Sequence, residues 1–198
     1  GSFNSTERTP AQTDLAYFYS DNFLLQWNRG LRGIALNNVH TMGDRARLIA
    51  LANLAIADAG ITSWDSKVFY NLWRPITAIQ EGENDGNPHT VGDPAWQSLI
   101  NNPNYPDYTS GANNVTGAAT RILARFFKRD RLTFEMTSLA PLAVQKTRVY
   151  TRFSQVANEV VNARTYLGIH FRFADTAARK QGEQVGDWVS DHFLLPCT

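Results

Sequence analysis

The sequence lacks the residues that would staple or metallate a small protein. It holds one cysteine, Cys197, in 198 residues, which excludes an internal disulfide and a cysteine-rich zinc site. It carries no excess of either charge: 19 Lys and Arg against 18 Asp and Glu leave a net +1. That balance excludes bulk electrostatics as a route to DNA, RNA or an acidic membrane. The cluster Lys128-Arg129-Asp130-Arg131 is too short to alter this and reads as a solvated helix end. No apolar run approaches about 18 residues, so no membrane span is expected. Charged residues make up 19% of the chain, below the roughly 25% of an average domain, so anion chemistry must come from a local cluster.

What is present suffices for a packed core: 43% hydrophobic and 12% aromatic residues argue against a disordered chain. The length gives a soft prior of about 1.3 domains. Gly1-Ser2 resembles the remnant left by tag removal. Residues 1–8 are therefore read as that remnant and a tail, and 9–198 as a single helical-bundle domain.

The pattern is all-α, a bundle of about six helices with one long loop. Thr9 as N-cap and Pro10 at the first helical position open a helix reaching about Gly30. Thr41 to Asp44 makes a capping-box-like start to an Ala-rich helix ending near Gly60, apolar around most of its circumference and hence central. Thr62 or Ser63 then caps a helix carrying Lys67 to Trp73, which Pro75 kinks or restarts. Residues 81–109 form the long irregular region, with a short helix at 94–100; loops of this length are usually functional or mobile. A fourth helix runs from Ser110-Gly111 to about Lys128, and two more over roughly 142–167 and 173–194. Between them, Leu132 to Ser138 is the one β-like stretch, with no hairpin signal.

Three clusters carry chemistry. Lys67 and Arg74 stand seven apart, two helical turns, on one side of a helix among Trp64, Val68, Phe69, Leu72 and Trp73. Thr109-Ser110-Gly111 at a helix start offers free N–H groups, a hydroxyl and the positive end of a dipole. Arg164 and His170 cannot converge from one straight helix, but Gly168 between them permits a break after which they can. Each cluster alone has a plain structural explanation: snorkelling cations, an ordinary N-cap, a satisfied core histidine. Together they describe an oxyanion pocket with a nucleophile or ligand beside it.

The order Lys67-x6-Arg74-Pro75, Thr109-Ser110-Gly111, Arg164-x5-His170 resembles the three-part signature of the vanadium-dependent haloperoxidases and type 2 phosphatidic-acid phosphatases. The family pattern runs Lys-x6-Arg-Pro, Pro-Ser-Gly-His, Ser-Arg-x5-His-x3-Asp. The gaps of 33 residues between Pro75 and Thr109 and of 50 between Ala112 and Ala163 also look family-like. The surrounding residues resemble the soluble haloperoxidase branch, whose members are built from two helical bundles with the signature in the second. The resemblance implies that Lys67, Arg74, Arg164, Ser110 and the Gly111 N–H bind the oxyanion. It makes His170 the axial ligand of vanadium or, in a phosphatase, the phosphoryl-accepting nucleophile. Trp64, Pro103 and Tyr105 would line the halide side. The implied cofactor is vanadate, with phosphate or sulfate able to occupy the site, and neither haem nor nucleotide. The implied substrates are halide and hydrogen peroxide, or a phosphomonoester. The implied setting is secreted or periplasmic, with a missing first bundle or a homo-oligomeric partner covering apolar surface. A non-catalytic anion- or partner-binding bundle is the reading from another class.

The departures are specific. Ala112 stands where the family has its acid/base histidine, and loss of general acid–base catalysis costs about 10²–10⁴ in rate. Ala112 is either an introduced knock-out, in keeping with Gly1-Ser2, or a natural divergence. Ala163 replaces the family serine. Ala174 takes the place of the family aspartate, with Asp175 one residue later and, on a continuing helix, about 140° from His170.

Overall fold

A computed structural model describes residues 1–195; Cys197 lies outside the described residues. The architecture is the expected helical bundle, with seven α-helices and a small hairpin among the described residues. Thr9 caps α1 (Pro10–Phe18) through a capping box with Gln12. The helix expected to reach Gly30 instead breaks after Phe18, and α2 (Phe23–Asn38) restarts because the Asn22 side chain accepts from the N–H groups of Leu24 and Leu25.

Thr41 caps α3 (Met42–Tyr70), and here the expected break near Gly60 is absent. Thr62 and Ser63 cap nothing: their hydroxyls donate to the carbonyls of Ala59 and Thr109, and the helix continues through Gly60. One glycine in a long helix costs only about 1 kcal/mol, which tertiary packing overrides. Leu48, Leu51, Ala52, Ala55, Ile56 and Ala59 are buried in the main core, so α3 is central as expected. Among the described residues the stretch Met42–Gln80, α3 with the short helix after it, is the one long and apolar enough, by length and composition alone, to cross a membrane.

After Asn71 in the left-handed region, Pro75 opens the short α4 (Pro75–Gln80). The long irregular region follows, with a 3₁₀ turn at Gly82–Asn84; residues 94–100 are not helical. Next come α5 (Gly111–Phe126), β1 (Arg131–Thr137), β2 (Thr147–Arg152), α6 (Phe153–Leu167) and α7 (Arg172–His192). The helix expected from 142 starts only at Phe153, because 147–152 pairs antiparallel with β1. β1 alternates strictly and buries Leu132, Phe134 and Met136. β2 buries only Tyr150; Val149 is exposed and the rest are Thr and Arg, so its pairing has little apolar pattern to announce it.

Two helices position the site. α5 and α7 run parallel and touch backbone to backbone at glycines. A Cβ on Gly182 would lie 1.9 Å from Asn114 O, and one on Gly117 2.3 Å from Arg179 O. Both helices therefore start at the same end of the molecule, with their positive dipole ends side by side. Gly182→Ala must push them apart. The expected cost is at least the 1–3 kcal/mol of an overpacked core, or about 2–4 °C of melting temperature per kcal/mol, read by chemical and thermal unfolding.

Candidate functional site

The three cation-bearing segments converge at that end. Lys67 sits on the last turn of α3 and is 2% exposed; its Nζ donates to the carbonyls of Pro106 (2.8 Å) and Asp107 (2.7 Å). Arg74 is not on the same helix as expected from the spacing of seven. α3 ends at Tyr70, and the chain turns at Asn71 before Arg74 precedes α4. The two cations meet because of that turn. Arg74 Nε donates to Tyr105 O (2.7 Å), and Nη1 to Ile169 O (2.6 Å), next to His170. Arg164 lies on the last turn of α6, with Nη1 donating to Tyr19 O (3.3 Å). Gly168 caps that helix at φ 75°, and the break it makes brings His170 back toward Arg74, as the glycine suggested.

Ser110 is the N-cap of α5, and its hydroxyl makes no capping bond to the helix. A buried polar network holds this start in place. Thr109 Oγ1 and Asn114 Nδ2 donate to Gln181 Oε1 on α7 (2.9 and 2.7 Å), and Ser63 Oγ donates to Thr109 O (3.0 Å). Ala112 is buried, and its methyl belongs to the main apolar core.

The sequence did not single out Asp107. It lies three residues before Ser110 and is fully buried. Its carboxylate takes His170 Nδ1 through one oxygen and the Phe171 N–H through the other, at 3.1 Å. This fixes the ring and leaves Nε2 as the atom able to ligate. Burial pushes the His170 imidazole well below its ordinary pKa, against the pull of Asp107, so the ring is neutral at ordinary pH. Asp175 is not the partner of His170. α7 begins at Arg172, and Asp175 in its first turn receives Asn113 Nδ2 instead (2.7 Å). Asp107 lies outside the quoted motifs, whereas Asp175 is marked only by standing one residue past the family aspartate position.

The electrostatics follow from burial. Lys67 is pushed down to about 7, first by burial and then by the Arg74 charge. Burial lowers Arg74 and Arg164 as well, and Arg164 also feels Arg74. Arg74 Nη2 and Arg164 Nε are buried with no hydrogen-bond partner among the described residues. On the outer side, Tyr105 packs tilted against Trp64 (ring centroids 4.9 Å apart) and lies under Lys67 Nζ (5.3 Å) and Arg74 (4.9 Å). Pro103 shares a cleft with Arg74 and Tyr105. Trp64, Pro103 and Tyr105 thus lie together beside Lys67 and Arg74. His89 in the long loop is exposed, its N–H bound to the Asn87 side chain.

Two measurements test this geometry. Asp107→Ala leaves the His170 Nδ1–H and the Phe171 N–H buried and unpaired. The expected loss is about 1–3 kcal/mol for each group, read by denaturant unfolding. Lys67 has a folded pKa near 7 and an unfolded value of about 10.4. Between those values the unfolded chain holds a proton that the folded protein has shed. Its contribution to stability therefore rises with pH over that range, by at most about 1.4 kcal/mol per unit. Lys67→Met should abolish that part of the stability–pH curve.

Known proteins carry the same architecture. Residues 47–195 match the family described as the VCPO second helical-bundle domain. Vanadium chloroperoxidase from Curvularia inaequalis is 28% identical over 236 residues, covering 89% of this chain and 38% of that protein. The crystal structure of a bacterial vanadium-dependent iodoperoxidase superposes with a TM-score of 0.79 at 29% identity, over 91% of this chain and 43% of that one. A holo-type bacterial vanadium-dependent chloroperoxidase shares the fold with a TM-score of 0.75 at 20% identity, over 94% and 44%. The chain thus spans less than half the length of these relatives. With the family match covering most of its length, the chain belongs to the family of VCPO second helical-bundle domains.

Proposed function

We propose that this domain binds a tetrahedral oxyanion, vanadate in the working protein, and supports halide oxidation by hydrogen peroxide. The observation that carries the reading is the pair of buried, unpartnered guanidinium nitrogens, Arg74 Nη2 and Arg164 Nε, beside a neutral imidazole fixed by Asp107. Buried N–H donors without partners are costly, and an anion would satisfy them with charge-assisted bonds. The donor set fits vanadate. It consists of three cations, the Ser110 hydroxyl with its proton still to donate, the Gly111 N–H at a helix start, and one nitrogen ligand. Among the described residues no cluster of three or more His, Cys, Asp or Glu offers a site for a simple metal cation.

In this reading Lys67, Arg74 and Arg164 neutralise the anion, Ser110 and Gly111 orient it, and His170 ligates through Nε2. Bound vanadate supplies the Lewis acid that activates peroxide. Trp64, Pro103 and Tyr105 form the halide side. Ala112 leaves no imidazole where the family has its acid/base group, so turnover is weakened.

The test has a binding arm and an activity arm. Inorganic phosphate and vanadate should raise the melting temperature, corresponding to about 2.7 kcal/mol at a hundred times the dissociation constant. Arg74→Ala should abolish the effect. Vanadate-loaded protein should oxidise bromide with peroxide slowly, and Ala112→His should raise that rate. An unchanged melt in saturating phosphate and vanadate overturns the proposal. Release of phosphate from a chromogenic monoester without halide oxidation would assign the site to phosphatase chemistry, and neither activity in either variant would leave an anion-binding bundle.

A further inference from the structure

Residues 1–8, set apart in the sequence as a tail, are laid against the turn that carries His170. Ser2 forms an antiparallel bridge with Ser98 of the long irregular region, and the Phe3 N–H donates to Gln97 O (2.8 Å). The Leu99 N–H is shared between Gly1 O (3.1 Å) and Leu167 O (3.0 Å), the latter on the last residue of α6. The backbones of Gly1 and Gly168 touch, so that a Cβ on Gly168 would lie 2.4 Å from Gly1 O. The next residue, Ile169, is buried with Leu99, Leu167 and Ala16 of α1 in a small apolar cluster apart from the main core. His170 follows directly.

One side chain fastens this segment. Arg8 is half-buried. Its Nη1 donates to Ser2 O (2.8 Å) and Tyr166 O (3.4 Å), and its Nε donates to Thr13 Oγ1 (3.0 Å). Tyr166 lies in the last turn of α6, where carbonyls lack partners within the helix and a cation is favoured. Gln12 Nε2 donates to the Tyr166 hydroxyl (3.3 Å) and holds α1 to the same turn. All three bonds of Arg8 go to neutral oxygens on three different segments. The planar guanidinium therefore sets a geometry here and neutralises no carboxylate.

We propose that residues 1–8 are a strap on the His170 turn and that Arg8 is a positioning residue for the vanadium ligand. Through Ser2 and the end of α6, Arg8 fixes where His170 Nε2 stands. The inference rests on the oxyanion reading, and it separates two anions. Phosphate needs the cations, Ser110 and the Gly111 N–H; the strap's own bonds go to Gln97, Leu99, Thr13 and Tyr166 and to none of those groups. Vanadium takes a further ligand from the imidazole, and that bond depends on where the turn holds the ring.

Calorimetric titration of the full 198-residue chain with vanadate and with inorganic phosphate tests the strap. Removing an outer partner of a metal ligand costs about 10–100-fold in affinity, so Arg8→Ala should lose that much for vanadate and keep its phosphate affinity. Arg8→Lys keeps the charge without the fork and should fall between Arg8→Ala and the wild type for vanadate. Coupling is reciprocal: a strap that favours vanadate is stabilised by vanadate to the same extent. In the wild type, vanadate should therefore slow hydrogen exchange at the Phe3 and Leu99 amides, and phosphate should not. If Arg8→Ala fails to fold, this exchange measurement decides. Equal loss of both anions in Arg8→Ala, unchanged vanadate affinity, or exchange that the two anions slow equally or not at all overturns the strap alone. A wild type that binds neither anion overturns the oxyanion reading and the strap with it.

Discussion

Burying three basic side chains close together is the constraint on which this structure depends. Taken out of water, each cation loses its hydration and repels the others, and the depressed Lys67, Arg74 and Arg164 record that cost. It is offset by main-chain oxygens. Lys67 holds the carbonyls of Pro106 and Asp107, Arg74 those of Tyr105 and Ile169, and Arg164 that of Tyr19. Four of these five carbonyls belong to the segments that carry Ser110 and His170. The cations therefore organise the loops, and the loops keep the cations in place.

The compensation is incomplete. Among the described residues two guanidinium nitrogens at this place stay without partners, and the hydrogen bonds of the two buried aspartates go elsewhere: Asp107 to His170 and Phe171, Asp175 to Asn113. Positive charge and donor capacity are left over at one place. Unpaired donors of this kind are costly to bury, and the imidazole beside them is held in one orientation by a carboxylate.

The helices serve this arrangement by close approach. Gly117 and Gly182 let α5 and α7 touch at the backbone, which sets Ser110 and Asp175 at one end of a parallel pair. Local signals in the chain announced several of these parts. Thr9 and Thr41 cap where hydroxyls before helical runs should cap, Pro75 restarts a helix, and Gly168 turns the chain before His170. Other parts had no local signal. Asn22 ends what reads as one helix, Gly60 fails to end another, and β2 is a polar strand that exists because β1 is there to pair with it.

The sequence by itself determined the helical class and the caps at Thr9 and Thr41, because those depend on short-range sterics and on signals that survive in the linear chain. The tertiary structure alone decided that Lys67 and Arg74 meet across a turn and not along a helix. It alone decided that Asp107, and not Asp175, is hydrogen-bonded to His170, and that Asp175 is buried beside Asn113. Those outcomes rest on which distant groups share a water-poor cavity. Desolvation and pairing there are properties of a place in space, and no stretch of chain contains them.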